Sequence, residues 1–99
     1  ILVARLRLRG ERAGAQRRAR LRRLPQDPEA RLSALTRLVH ESMADALGLD
    51  AGVVDAERVA GLGTQAQILY QDLIRAQYAG EVSDDLEMRA SEFVRRYST

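Results

Sequence analysis

Asp27-Pro28-Glu29-Ala30-Arg31-Leu32-Ser33-Ala34-Leu35-Thr36-Arg37-Leu38-Val39-His40-Glu41-Ser42-Met43-Ala44-Asp45-Ala46-Leu47-Gly48 decides the fold class of this chain. Asp27 is a strong N-cap residue, Pro28 suits the first helical position, and Glu29 sets an acid against the free N–H groups of the first turn. Leu32, Leu35, Leu38/Val39, Met43 and Ala46/Leu47 then recur at three- and four-residue steps, so one face of the helix is apolar. Gly48 is a natural C′ stop. Upstream, Leu24-Pro25-Gln26-Asp27-Pro28 is a clear break, because the residue before each proline is pushed away from helical angles.

The same signals recur toward the C-terminus. Residues 49–63 read as a connector punctuated by Gly52, Gly61 and Gly63, with a short helix expected over 53–60. Thr64 is the expected N-cap of a third helix reaching Ala79. Its inward stripe is Ala66, Leu69, Leu73 and Ala76, flanked by Ile68 and Tyr70, and Gly80 closes it. Ser83 or Asp84 caps the last helix. With Asp84 as the cap, Glu87 falls at the third position of a capping box. Leu86, Ala90, Phe93/Val94 and Tyr97 form the last stripe. Amphipathic helices with short links predict an all-α protein, a small helical bundle of about four to five helices.

The charge is divided along the chain. Residues 1–24 hold nine arginines against the single acid Glu11, a balance of +8, whereas residues 25–99 hold seven arginines against thirteen acids, a balance of −6. The chain divides accordingly into an arginine-rich N-terminal segment, 1–24, and an amphipathic helical bundle, 25–99. The segment reads two ways. Ala4-Arg5-Leu6-Arg7-Leu8-Arg9 alternates with the period of a half-buried strand, while 12–24 is rich in good helix formers and reads as helix from about residue 12, with Gly10 and Gly14 weakening any helix through the segment. Arg17, Arg18, Arg20, Arg22 and Arg23 are candidate phosphate contacts for weak nucleic-acid binding. The alternative is a solvated helix face paired with the acidic body. No aromatic residue interleaves with these arginines, which argues against base stacking.

Composition narrows the chemistry. The 99 residues suit one small domain, or part of a larger one. With 45% apolar but only 4% aromatic residues, its core is built of Leu, Val and Ala. The absence of Cys excludes disulfides and thiolate metal sites and fits a reducing, cytoplasmic setting. No apolar run approaches the roughly 18–20 residues of a membrane span. The chain opens without Met, which suits a fragment or a processed piece. His40 is the only histidine, and it serves as a buried polar contact, a ligand-pocket group or a surface residue; alone it cannot build a histidine metal site. Glu41 and Asp45 share a helix face, and Asp84, Asp85 and Glu87 cluster at a helix start, a placement the helix dipole explains better than acid–base catalysis. Gly61-Leu62-Gly63 lacks the third glycine and the preceding strand of a dinucleotide loop. No catalytic residue, cofactor or metal site is expected.

Two stretches resemble the C-terminal regulatory domain of TetR-family transcription regulators. One is the run from Asp27 to Val39 continuing to Glu41-Ser42, similar to that family's helix opening. The other is Leu73-Ile74-Arg75-Ala76-Gln77-Tyr78-Ala79-Gly80-Glu81-Val82-Ser83-Asp84-Asp85-Leu86, similar to the turn between two of its late helices. The resemblance implies a non-enzymatic, ligand-binding and dimerising helical domain. Leu35, Val39, Met43, Leu69, Tyr70, Leu73 and Phe93 would line its pocket for a small apolar effector, unless they are ordinary core. The family's N-terminal helix-turn-helix is absent from the sequence, so base reading is not carried over. Residues 29–99 also resemble the four-helix plan of an acyl carrier domain, in which a serine soon after Leu62-Gly63 would hold phosphopantetheine. Thr64-Gln65-Ala66-Gln67 stands there instead. That second resemblance implies a protein-interaction module without carrier chemistry. The expected partners are a second copy or another protein.

Overall fold

The decisive stretch folds as its residues dictate. In the computed structural model, which describes residues 2–98 and the side chains of residues 12–98, helix α2 spans Pro28–Leu47. Asp27 caps it, its Oδ2 accepting the Ala30 N–H at 3.0 Å. Gly48 ends it in the left-handed conformation at φ 67°, a backbone state that glycine adopts without Cβ strain. Four further helices complete the described fold: α1 (Leu2–Arg22), the single turn α3 (Ala56–Val59), α4 (Thr64–Ala79) and α5 (Asp84–Arg96). Two 3₁₀ turns, Ala51–Val53 and Ala60–Leu62, flank α3. No strand occurs among the described residues, and the protein is an all-α bundle.

The stripes meet in one core. Leu32, Leu35, Leu38, Val39 and Met43 of α2 pack with Leu69 and Leu73 of α4, Leu86, Ala90 and Val94 of α5, and Val59 of α3. Each large side chain buried this way contributes roughly 1.5–3 kcal/mol, against a comparable loss of chain entropy. Ser42, fully buried in the middle of α2, satisfies its hydroxyl by donating to the Leu38 carbonyl at 2.9 Å.

Several local expectations are revised. The alternation over 4–9 suggested a strand, yet α1 is continuous from Leu2 through Gly10 and Gly14. A strand needs a partner ladder, and none is available, whereas Ala, Arg, Leu and Gln favour helix. The expected helix over 53–60 shrinks to α3, with Asp55 accepting the Arg58 N–H at 2.8 Å. Thr64 is not the cap of α4: Gly63 holds that position at φ 106°, and Thr64 is the first helical residue. Ser83, not Asp84, caps α5, accepting the Leu86 N–H at 3.1 Å. That register puts Glu87 one residue past the box position, and it pairs with Arg31 of α2 instead.

Candidate functional site

The seven residues expected to line an effector pocket are brought together, but as packing. Leu35, Val39, Met43 and Leu73 have no exposed surface and Leu69 is nearly buried; all belong to the core, with Tyr70 and Phe93 packed against its edge. The seam between α2 and α4 is filled by these side chains. Leu69 and Phe93 differ from the rest because they also reach a half-open cleft on the far side of α4.

That cleft lies between α4 and α5 and encloses about 390 Å³. Leu62, Ala66, Leu69, Phe93 and Tyr97 form its apolar surface, and the Phe93 and Tyr97 rings lie tilted with centroids 4.5 Å apart. Gln65, Arg89, Glu92 and Arg96 supply its polar edge. Arg89 is held in place by Asp72 at 3.0 Å and Asp85 at 2.9 Å. Its pKa is raised, chiefly by the hydrogen bond to Asp72. The stripe of α5 had pointed to Phe93 and Tyr97; the polar edge was missed. Its signal is the recurrence of Arg89, Glu92, Phe93 and Arg96 at three- and four-residue steps along one flank of α5.

The five candidate phosphate arginines separate into two groups. Arg17 is only 5% exposed, and its Nε and Nη2 are both engaged. Its Nη2 donates to Asp45 Oδ2 at 2.8 Å and to the Tyr97 carbonyl at 3.1 Å, and its Nε donates to Ser98 Oγ at 3.0 Å. Arg20 donates to Glu41 Oε2 at 2.6 Å. The two carboxylates sharing a face of α2 are therefore the seats on which α1 is fastened. Arg18 is half-buried and Arg22 and Arg23 are exposed, none of them with a carboxylate partner among the described residues.

His40 is half-buried against Tyr70, ring centroids 5.4 Å apart. Burial lowers its pKa below the ordinary 6.5, because desolvation disfavours the charged ring. Its Nε2 and the Thr36 hydroxyl, one turn apart, are buried with no hydrogen-bond partner among the described residues. Asp85 pairs with Arg89, Glu87 with Arg31, and Asp84 sits in the first turn of α5. No group of three or more His, Asp or Glu side chains that could hold a metal ion converges among the described residues. No described helix is long and apolar enough to cross a membrane. No family model, no curated protein and no solved structure matches the chain.

Proposed function

We propose that this chain is a non-enzymatic helical interaction domain whose working surface is the cleft between α4 and α5, with a second copy of the chain as its partner. The cleft is the observation that carries the reading. It offers aliphatic and aromatic surface ringed by polar groups, the make-up of a protein interface with an apolar centre and a polar rim. The filled α2–α4 seam favours such a surface over an enclosed effector cavity. The rim also suits self-pairing. Glu92 and Arg96 lie four residues apart on α5. A twofold axis perpendicular to α5 sets two copies of the helix antiparallel and brings the polar edge of one against that of the other, as an isologous interface requires. The order of long helix, connector, helix after Leu62-Gly63 and last helix also agrees with the interaction-module reading. Ala66 is buried, and Thr64 and Gln65 hold exposed positions where that resemblance would need a serine.

Sedimentation equilibrium at rising concentration tests this. The parent chain is expected to self-associate, and Phe93→Glu to weaken association at least about tenfold, or roughly 1.4 kcal/mol. A parent that stays monomeric, or a Phe93→Glu variant that associates as well, overturns the reading. A second reading, regulation by a small apolar effector as the TetR-like stretches imply, is favoured by the cleft's volume, which falls in the roughly 300–1,000 Å³ range of ligand sites. Titration with decanoate, followed by backbone amide NMR, should then shift signals of Leu69 and Phe93; silence at both excludes it.

A further inference from the structure

We infer that the outer face of α1 is a contact surface for the phosphate backbone of duplex nucleic acid, formed because docking of the helix neutralises Arg17 and Arg20 and leaves Arg12, Arg18, Arg22 and Arg23 without a carboxylate partner among the described residues. Between residues 12 and 26 there are six arginines and no acid. Arg17 and Arg20 are neutralised by Asp45 and Glu41 on α2. Arg12, Arg22 and Arg23 are exposed and Arg18 half-buried, and none of the four has a carboxylate partner among the described residues. Pairing also removes the two acids that would otherwise repel a polyanion beside α1. The two carboxylates that pair with α1 are thus already spent holding the helix in place.

The chemistry selects the partner. At 1.5 Å per residue, Arg12 to Arg23 spans roughly 16 Å along the helix axis, a length over which a duplex strand presents four or five phosphates. Guanidinium forks bind phosphate oxygens in pairs and stay charged at any physiological pH. Residues 12–24 contain no aromatic side chain, so a single strand gains no stacking there. A membrane surface fits less well, because a helix lying in that interface needs an apolar face to insert. The apolar residues of this part of α1, Leu21 with Leu24 just beyond it, are packed against the core instead.

The test is fluorescence anisotropy of the full chain with a labelled DNA duplex, and with an RNA duplex of the same sequence, at a series of salt concentrations. Both duplexes should bind at low salt, with a log–log salt slope of about −3.6 if four arginines each neutralise one phosphate. The double variant Arg22→Gln/Arg23→Gln should reduce the magnitude of the slope by about 1.8, and the fourfold variant that adds Arg12→Gln and Arg18→Gln by about 3.6, while keeping the parent's helical circular dichroism. Arg37→Gln and Arg75→Gln, on exposed body positions, should leave the slope unchanged. Three outcomes overturn the inference: no binding of either duplex at low salt, undiminished binding by the folded fourfold variant, or binding to phosphatidylserine vesicles but to neither duplex.

Discussion

Arg17 shows how one side chain can join distant parts of a small fold. An arginine only 5% exposed is tolerated because its charge meets Asp45 and its other donors meet the Tyr97 carbonyl and the Ser98 hydroxyl. Hydrogen bonds to a charged group contribute about 1.5–3 kcal/mol, and half-exposed Asp45 can turn to water when its partner is lost. Arg17→Ala is therefore expected to cost about 2–4 kcal/mol in urea unfolding, and Arg17→Lys about half as much, since an ammonium keeps the charge but not the fork. His40 supplies the pH dependence. Its pKa is lowered on folding from about 6.5, so the unfolded chain holds more protons in the window just below that value. Its contribution to stability is complete above the window and is lost as the pH falls through it. The Tm should fall on acidification from about pH 7.5 to about pH 5, and less so in His40→Phe, which keeps the packing on Tyr70 but cannot titrate. Equal loss in both proteins would remove His40 from the explanation. At this scale the sequence was only partly legible. Leu35, Val39 and Met43 could be read as inward from their spacing, whereas nothing in the run of arginines distinguishes Arg17 from Arg18. That difference arises only when a second helix presents Asp45.

The elements divide the same way. Helix α2 was readable from cap to stop because Asp27, Pro28 and Gly48 act locally and the structure uses each as its chemistry suggests. Helix α1 was readable as helix only from about residue 12, and its seat against the body was not, because that depends on contacts 21 to 81 residues away. Gly14 looked like a weak point in a helix. A methyl group at that position would lie 2.3 Å from the Ser98 carbonyl oxygen, so the glycine is what allows α1 to lie against the end of the chain. Gly→Ala within a helix ordinarily stabilises by about 1 kcal/mol. Here the sign should reverse, with Gly14→Ala destabilising by about 1–3 kcal/mol through overpacking against backbone. Hydrogen exchange is the discriminating measurement: protection should fall in 14–22 and persist in α2. Thr64 and Asp84 teach the complementary lesson. Both are good cap residues by type, but the caps went to Gly63 and Ser83, one residue earlier in each case, as the packing of α4 and α5 set where each helix begins.

For the whole molecule, the bundle architecture followed from counting stripes and breaks, while the α4–α5 cleft did not, because a cleft belongs to two helices and to neither sequence segment alone. If the α4–α5 cleft joins two copies, stability and association are linked, and the Tm of the parent should rise with protein concentration while that of Phe93→Glu should not. A Tm independent of concentration in both would separate the cleft from assembly. The seat of Arg17 carries a further consequence, one of timing. Asp45 is made soon after Arg17, but Tyr97 and Ser98 follow it by eighty and eighty-one residues. On the ribosome, α1 therefore emerges long before its docking site is complete, and until residues 97 and 98 are released Arg17 can be paired only through Asp45. The arginines of α1 are thus made well before the last residues that secure them.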